Sequence, residues 1–408
     1  MIKRTHVWIE GPVQRDDTVT VPMIVEGPEH NRTRIWYQLP ARYEPALTKS
    51  GDPFVLAMIF TVMRIPSDLH IHGEVSPSLL RNLEEFQSAW RCWRPERYTA
   101  VEITADVERE RSSASSPQKA LSLFSGGVDS CFTVFSHRTR QGNGRGYELQ
   151  AGLMVHGFDI FLDQGDAFAR AAARAKKMLD SLGVDFIPMV TNIRDLNEPW
   201  WDFHGAAPAS CLMLLQEGFS GGIIPSTEPY NGLVLPWGSN PVTDWMMSND
   251  SFQIIHHGAS LTRTEKVREI AQWPEAKQYL RVCMIGKKDE VDRNCGVCQK
   301  CVRTILNFRV VGAGLPGCFE KDATDEQIAR LRVMDPLQLA ELQRILTFAK
   351  SASVSAPWVD ALEVCILQSR LRIASKRSIK QLRKMLTHAG AFIKYASGRY
   401  KATQAAAY

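Results

Sequence analysis

The hydrophobic and polar positions of residues 1–110 predict a β-rich region with at least one helix. Apolar or β-branched residues alternate with polar ones over 18–25 and 98–105, and a period of two is typical of strands. Between these segments, Ser76-Pro77 predicts the start of a helix because proline suits a first turn. The apolar residues that follow recur at helical spacing, and we expect them to pack on a sheet: Leu79, Leu80, Leu83, Phe86, Trp90 and Trp93.

From residue 117 the pattern changes to an alternation of short apolar strands and helices. The predicted strands are 120–124, 151–155, 184–190, 222–225 and 252–255, and the predicted helices are 131–138, 166–182, 208–217 and 264–271. This alternation predicts an α/β fold with a doubly wound parallel sheet, whose ligands bind beyond the carboxyl ends of the strands. From about residue 321 the pattern is helical.

The serine-rich stretch 110–117 lacks periodicity and is typical of a linker. We therefore expect three regions: a β-rich N-terminal domain (1–110), an α/β domain (117–320) and a helical C-terminal region (321–408).

Composition and charge add two expectations. The 408 residues contain no apolar run near the ~18 that a bilayer-spanning helix needs, and residues 1–6 lead into a strand pattern, so we expect a cytoplasmic protein without a membrane partner. The net charge is +5, yet residues 369–408 contain ten Lys and Arg and no acid, so the rest carries −5. This basic tail is either a solvated face or a contact for RNA.

The segment Ser125-Gly126-Gly127-Val128-Asp129-Ser130 lies between a predicted strand and a predicted helix. Two glycines let the backbone turn tightly and approach a ligand, and the amides at the helix start favour an anion. Ser125 and Ser130 add hydroxyl donors, and Asp129 can hold Mg²⁺ against phosphate oxygens. The segment therefore predicts a pyrophosphate-binding loop. The simpler alternative is a turn that only connects a strand to a helix.

Four of the nine cysteines lie within nineteen residues: Cys283, Cys295, Cys298 and Cys301. Four thiolates with short spacings form a closed tetrahedral zinc site, so we expect a structural Zn²⁺. An iron–sulfur cluster is the competing interpretation, and four unrelated thiols are the simplest one.

The hexapeptide resembles the signature of the PP-loop ATP pyrophosphatase superfamily, Ser-Gly-Gly-x-Asp-Ser. With the four cysteines near the end of the same α/β region, it is similar to the 7-cyano-7-deazaguanine synthase family over about residues 118–310. The chain looks like one of the longer proteins of this kind, which are found in bacterial anti-phage operons. The family lacks counterparts of the front domain and the basic tail, and its purine-recognition segment has no match here.

The resemblance implies a PP-loop (HUP-like) core and an ATP-dependent ligase that needs Mg²⁺ and contains zinc. Such an enzyme adenylates a carboxylate, for example on a 7-deazaguanine, releases pyrophosphate and passes the acyl group to an amine. The loop residues 125–130 would bind ATP, with Asp129 and Ser130 catalytic, and the four cysteines would bind zinc. The implied partners are a small carboxylate, an amine donor, a protein or RNA acceptor, and a second copy in a homodimer.

Further candidates lie at or after predicted strand ends, where a doubly wound sheet has its ligand crevice. His156 follows the second strand and is a candidate nucleotide contact. The candidate substrate residues are His204, Ser226, Thr227, Glu228, Ser239, Asn240 and Asp244. Turn chemistry or a structural histidine is the alternative for these positions.

Two histidine pairs and one further cysteine are given structural interpretations. His70-x-His72 and His256-His257 have no third metal ligand nearby in the sequence, so we do not predict metal binding there. We expect Cys131 to face the core. The alternative functions are an RNA-modifying thiolase or ligase of the same superfamily, and an ATP-binding sensor without turnover.

Overall fold

The structure is a computed structural model that describes residues 3–111, 118–139, 147–283, 290–333 and 336–375. Its contacts divide the chain into two compact units, residues 1–322 and 323–408. In the described part of the first unit, eleven strands form one sheet in the order β11-β10-β7-β8-β9-β4-β3-β1-β5-β6, with β2 beside β3. The strands are β1 (Arg4–Ile9), β2 (Val13–Arg15), β3 (Thr18–Glu26), β4 (Arg32–Pro40), β5 (Asp68–Val75), β6 (Ile103–Glu108), β7 (Lys119–Leu123), β8 (Glu148–His156), β9 (Asp185–Thr191), β10 (Gly221–Pro225) and β11 (Gln253–His257).

Five strands, β11, β10, β7, β8 and β9, are all parallel and form what we call the parallel half of the sheet. The chain enters at β7 in the centre, continues to β8 and β9 on one side, and then passes to β10 and β11 on the other. This is the order of a doubly wound sheet, whose ligand crevice opens where the strand order reverses, here between β7 and β10. The predicted α/β class is confirmed, and each of the five predicted strands overlaps an observed one.

Helices cover both faces of the sheet in this unit. They are α1 (Asp52–Arg64), α2 (Pro77–Trp93), α3 (Val128–Thr139), α4 (Gly165–Ser181), α5 (Trp200–Phe203), α6 (Ala206–Met213), α7 (Arg263–Ile270), α8 (Pro274–Tyr279) and α9 (Gln299–Val310). Right-handed connections place α3 and α4, which follow β7 and β8, on one face and α6, which precedes β10, on the other. Helix α3 packs on α7, which packs on α9, and α1 packs on α6. The buried Cys131 lies in α3 and contacts Met178 of α4, as expected for a core residue.

The remaining strands, β4, β3, β1, β5 and β6 with β2, form the front half of the sheet. Strand β4 pairs antiparallel with β9, Tyr37 opposite Thr191, so the two halves share one sheet. Asn192 strengthens this junction because its side chain accepts a hydrogen bond from Trp36 N at 2.8 Å and donates one to Arg34 O at 2.9 Å. The change of pattern near residue 110 therefore does not interrupt the sheet.

Two sequence expectations for the front half need correction. The strand predicted over 98–105 begins only at Ile103, because Tyr98 is buried edge-on against the rings of Phe60 and Trp90 instead of continuing a strand. Helix α1 has no counterpart among the predicted elements, because its residues are apolar on nearly every side and almost all of them are buried. Helix α2 does begin after Ser76, and its apolar stripe is largely buried.

The second unit is helical where it is described, as its pattern predicts. It contains α10 (Asp325–Ala329), α11 (Pro336–Ser351) and a helix over 357–375, which we call α12. A capping box between Thr324 and Gln327 starts α10. The apolar side chains Leu342, Ile345 and Leu362 are fully buried.

Two predicted features fall wholly or mainly outside the described residues. These are the serine-rich linker, of which 112–117 are not described, and the basic tail beyond residue 375. Within the described ranges, no helix combines the length and the apolar character that crossing a membrane requires.

A candidate nucleotide site and a candidate metal centre

The loop 125–130 joins β7 to α3 at the carboxyl end of the central parallel strand. Gly126 has a φ of +73°, a left-handed conformation that favours glycine. The loop is held by its own hydroxyls, since Gly127 N donates to Ser125 Oγ at 3.4 Å and Ser130 Oγ donates to Gly127 O at 3.1 Å. As in every α-helix, the first amides of α3 have no acceptor within the helix and can meet an anion.

Two cations from α7 contact the carboxylate of Asp129. Arg263 Nη2 lies 2.6 Å from Asp129 Oδ2, and Lys266 Nζ lies 3.1 Å from Asp129 Oδ1. Burial alone would raise the pKa of Asp129, but the charges of Arg263 and Lys266 hold that pKa below its usual value. The carboxylate is therefore ionised and fixes both cations at the loop.

Lys266 also links the two strands that flank the switch point. Its side chain is almost fully buried, and its ammonium group donates to Ser226 O, just after β10, at 2.5 Å. Because Asp129 follows β7, one ammonium group joins the ends of β7 and β10 across the crevice. A positive charge therefore lies where a doubly wound sheet binds its ligand.

Arg281 and Lys300 add positive charge at the same place. The backbone amide of Arg281 donates to Gly126 O at 2.8 Å, and the buried Nε of its side chain has no hydrogen-bond partner among the described residues. Lys300 lies near Arg263, Arg281 and Asp129, and its pKa is lowered by burial and by the charge of Arg263. An anion bound beside these neighbouring cations would stabilise their positive charge.

Taken together, these residues form a site suited to a phosphate chain. The four cations Arg263, Lys266, Arg281 and Lys300 outnumber the nearby carboxylates, Asp129 and Asp159. The expected role of Asp129 as a Mg²⁺ ligand is not what its contacts favour, because its oxygens already pair with two cations. The surroundings of Asp129 suit an anion better than a resident divalent cation.

The four cysteines predicted to bind a metal lie close together in space. Their Sγ atoms are all within 4.8 Å of one another, with 3.9 Å between Cys283 and Cys298 and between Cys295 and Cys301. A tetrahedral ion with Zn–S bonds of about 2.3 Å sets its sulfurs about 3.8 Å apart. The distances between the sulfur atoms therefore match those around a single tetrahedral ion. A cluster of several iron and sulfur atoms would need the four sulfur ligands to lie farther apart.

The chain forms this group through a turn and a helix start. Gly296 has a φ of +71°, which tightens the turn between Cys295 and Cys298. Cys298 is the N-cap of α9, and its Sγ accepts from Cys301 N at 3.4 Å. Lys300 lies on α9 between these two ligands, so a metal here would also fix the position of one of the loop's cations.

No protein-family model, curated protein or solved structure matches the chain. Roles can therefore be assigned to these residues only from their contacts and their chemistry.

Four of the predicted substrate residues form one hydrogen-bonded network. Asp244 accepts from Ser239 Oγ at 2.7 Å and from Asn240 N at 3.0 Å, and Ser239 N donates to His204 Nε2 at 3.3 Å. The backbone at Gly205 lies very close to the backbone at Gly238. A Cβ on Gly205 would be only 2.1 Å from Gly238 O, so a larger side chain does not fit there. Burial lowers the pKa of His204, so its imidazole stays neutral at physiological pH.

The same network includes His256, to which the sequence analysis assigned no function. His256 Nδ1 lies 2.8 Å from Asp244 Oδ2, and its buried Nε2 has no partner among the described residues. The buried Nε1 of Trp237, whose ring contacts His204, likewise has no hydrogen-bond partner in the described part of the chain. A histidine oriented by a carboxylate, with its other nitrogen unused, is a candidate proton acceptor.

The other predicted residues lie apart from this network. Ser226 and Glu228 follow β10, where Ser226 Oγ donates to Glu228 O at 2.6 Å, and Thr227 beside them is exposed. His156 ends β8, where its ring stacks on Phe168 and its Nε2 lies 2.8 Å from Phe161 O. These contacts hold the ring of His156 at the strand end, and its role as a nucleotide contact stays a prediction.

Proposed function

We propose that the chain is an ATP-dependent ligase of the PP-loop type that adenylates a carboxylate and transfers the acyl group to an amine. The observation that carries this proposal is the position of the loop 125–130. It lies at the switch point of a doubly wound sheet, where Lys266 contacts both Asp129 and the end of β10. A loop of this sequence, at this place and beside four cations, suits the two outer phosphates of ATP.

The cations stabilise the charge that develops when pyrophosphate leaves. In adenylation the carboxylate oxygen attacks the α-phosphorus, the bond from that phosphorus to the bridging oxygen breaks, and pyrophosphate departs with the electron pair. Arg263 and Lys266 are held in place by Asp129 before the nucleotide arrives, so they need little reorganisation during the reaction. Mg²⁺ belongs to the substrate, MgATP, in this proposal, and Asp129 acts by orienting the two cations.

The second step requires a proton acceptor for the amine. The amine nitrogen attacks the acyl carbon, AMP leaves with the bonding electrons, and the nitrogen loses a proton. His256 suits this role because Asp244 holds the proton on Nδ1 and leaves the lone pair on Nε2 available.

The aromatic rings beside His204, which belongs to the same network as His256, favour a flat, polar heterocycle as the carrier of the carboxylate. The indole rings of Trp201 and Trp237 lie 5.3 Å apart, and Trp237 lies edge-on to His204 at 4.9 Å. Aromatic side chains stack on heterocycles, and unpaired buried nitrogens can pair with their edges. A 7-deazaguanine carboxylic acid fits this description, with ammonia or an amine of a larger acceptor as the nucleophile.

Zinc is the metal that the four cysteines fit best. One Zn²⁺ with four thiolates is fully coordinated, so it would act through folding, by fixing α9 and with it Lys300. A cytoplasmic location, where thiols stay reduced, suits such a site.

The test measures AMP and pyrophosphate release from MgATP with 7-carboxy-7-deazaguanine and ammonia, together with mass spectrometry for the acyl adenylate. We expect release that depends on the carboxylate, and its loss in Asp129→Ala. The matched control is Asp180→Ala, which removes an exposed carboxylate that pairs with Lys176.

Two outcomes would contradict the proposal. If ATP binds but no carboxylate elicits pyrophosphate release, the chain is a nucleotide-binding protein without turnover. If Asp129→Ala releases AMP as fast as the unchanged protein, the loop is not the nucleotide site.

A further inference from the structure

The open face of the front half carries a second group of metal-binding side chains. His70 and His72 lie on β5 and Asp106 lies on β6, with one ligand atom of each within 4.8 Å of the others. Asp106 Oδ1 is 3.0 Å from His70 Nε2 and 3.5 Å from His72 Nδ1. No third ligand lies near the histidine pair in the sequence, but Asp106 of the neighbouring strand brings a third candidate ligand to it in space.

The pairing of β5 with β6 explains how these side chains meet. His70 is opposite Thr104 and Ile71 is opposite Ala105, but the next pair is Glu74 with Val107. His72 and Gly73 together therefore face Asp106, which is a β-bulge, a feature that often redirects a side chain beside a functional site. Ile71, between the histidines, is fully buried on the opposite face.

Each histidine has its second nitrogen held by another side chain. His70 Nδ1 lies 2.9 Å from Thr104 Oγ1, and His72 Nε2 lies 3.0 Å from Nδ1 of His6 on β1. With protons on these two nitrogens, the lone pairs of His70 Nε2 and His72 Nδ1 both face Asp106. This is how proteins orient metal-binding histidines, whose other N–H is almost always hydrogen-bonded.

The ring of His72 is also fixed by stacking. It lies 4.6 Å from the ring of Trp8 with an interplanar angle of 7°, and 5.2 Å from that of His6. The three ligands still reach solvent, with side-chain exposures of 19% for His70, 29% for His72 and 50% for Asp106. An ion can therefore enter without opening the fold.

We propose that His70, His72 and Asp106 bind one divalent first-row transition metal ion, of which Zn²⁺ is the best match. Two imidazoles and a carboxylate suit such ions, and they leave further coordination positions to water or a ligand. With metal–ligand bonds of about 2.0–2.2 Å, the ligand atoms of one ion lie about 3.0–3.5 Å apart, as the two histidines do from Asp106 here. His6 and Thr104 hold the ligands without touching the ion. This site does not depend on the proposed function.

The test uses the full, untagged chain. It is first loaded with one equivalent of Zn²⁺ to fill the four-cysteine group and is then titrated with Co²⁺. We expect one further equivalent to bind, with the weak visible bands of oxygen and nitrogen ligation and without the intense near-ultraviolet band of thiolate ligation. Asp106→Asn and His70→Gln should lose this equivalent. The matched control is His30→Gln, because His30 is an exposed histidine of the same half outside the group.

Two further measurements separate ligation from folding. Thermal unfolding without metal shows whether each variant is folded. If Asp106→Asn or His70→Gln does not fold, His72→Gln is used in its place. His6→Ala should keep the equivalent but bind it about 10- to 100-fold more weakly, as expected for a side chain that orients a ligand. The proposal is overturned if the unchanged chain binds no second equivalent, or if folded Asp106→Asn binds it as tightly as the unchanged chain.

Discussion

The two halves of the sheet build their polar clusters in different ways. In the parallel half, the clusters lie at the carboxyl ends of strands, and Asp129, Asp244 and His256 are largely buried. In the front half, His70, His72 and Asp106 lie within strands on an open face and are partly exposed. The first arrangement forms a crevice between loops, whereas the second lies shallow on a flat surface.

This difference follows from where the side chains lie along the strands and not from strand direction, because β1, β5 and β6 are also parallel to one another. Parallel strands bring all their carboxyl ends to one edge, so residues far apart in the sequence converge on one crevice. Within a pair of neighbouring strands, side chains meet by register, and the bulge between the parallel strands β5 and β6 completes the histidine group. A change in the crevice should therefore affect buried charge and stability, and a change on the open face mainly metal binding.

The largest effect is expected for Cys298→Ser, which removes a thiolate of the four-cysteine group. We expect loss of one equivalent of bound zinc and a decrease of more than about 3 kcal/mol in the free energy of unfolding, because metal binding and folding are coupled. Metal analysis and urea unfolding measure both. Cys92→Ser, at an exposed cysteine, should change neither. Full zinc retention in Cys298→Ser would show that the four thiols do not form a metal site.

The next largest effect is expected for Asp244→Asn, which removes the acceptor that orients His256. We expect acyl transfer to the amine to slow about 100-fold or more, because a correctly placed general base usually accelerates a reaction by at least that factor. Pyrophosphate release in a single turnover should stay close to normal. Rapid-quench measurement of both products separates the steps. Equal slowing of both steps would assign Asp244 a structural role only.

Lys266→Met tests the link between the two strand ends. A hydrogen bond to a charged group is worth about 1.5–3 kcal/mol, so ATP affinity should fall about 10- to 150-fold. Calorimetry with a non-hydrolysable ATP analogue gives the affinity. Lys176→Met removes an exposed lysine on α4 and should leave the affinity unchanged. Unaltered binding in Lys266→Met would place the nucleotide elsewhere.

The smallest effect is an acid dependence of stability due to Asp129. Since its pKa in the folded chain is below its unfolded value of about 3.9, the stabilisation is complete above that value. It is lost as the pH falls through the lower, folded pKa. The difference in stability between the unchanged chain and Asp129→Asn should therefore shrink below about pH 4. Urea unfolding across pH 3–7 measures it, and a difference that grows on acidification would contradict the charge pairing.

The sequence alone determined those features that depend on neighbouring residues. The strand–helix alternation after residue 117 predicts the α/β class and the observed strands, because period and turn residues act locally. The loop 125–130 is contiguous, and three of the four cysteines lie within seven residues, so the sequence by itself indicates an anion loop and a metal group.

Only the tertiary structure decided which distant residues complete each site. Arg263 and Lys266 are more than 130 positions from Asp129, and no local pattern marks them as its partners. Of the two adjacent histidines, it is His256 that pairs with Asp244. His257 points to the other face of the sheet, because adjacent residues of a strand alternate between faces. Asp106 joins His70 and His72 through strand register and a bulge, and register is set by packing of the whole sheet.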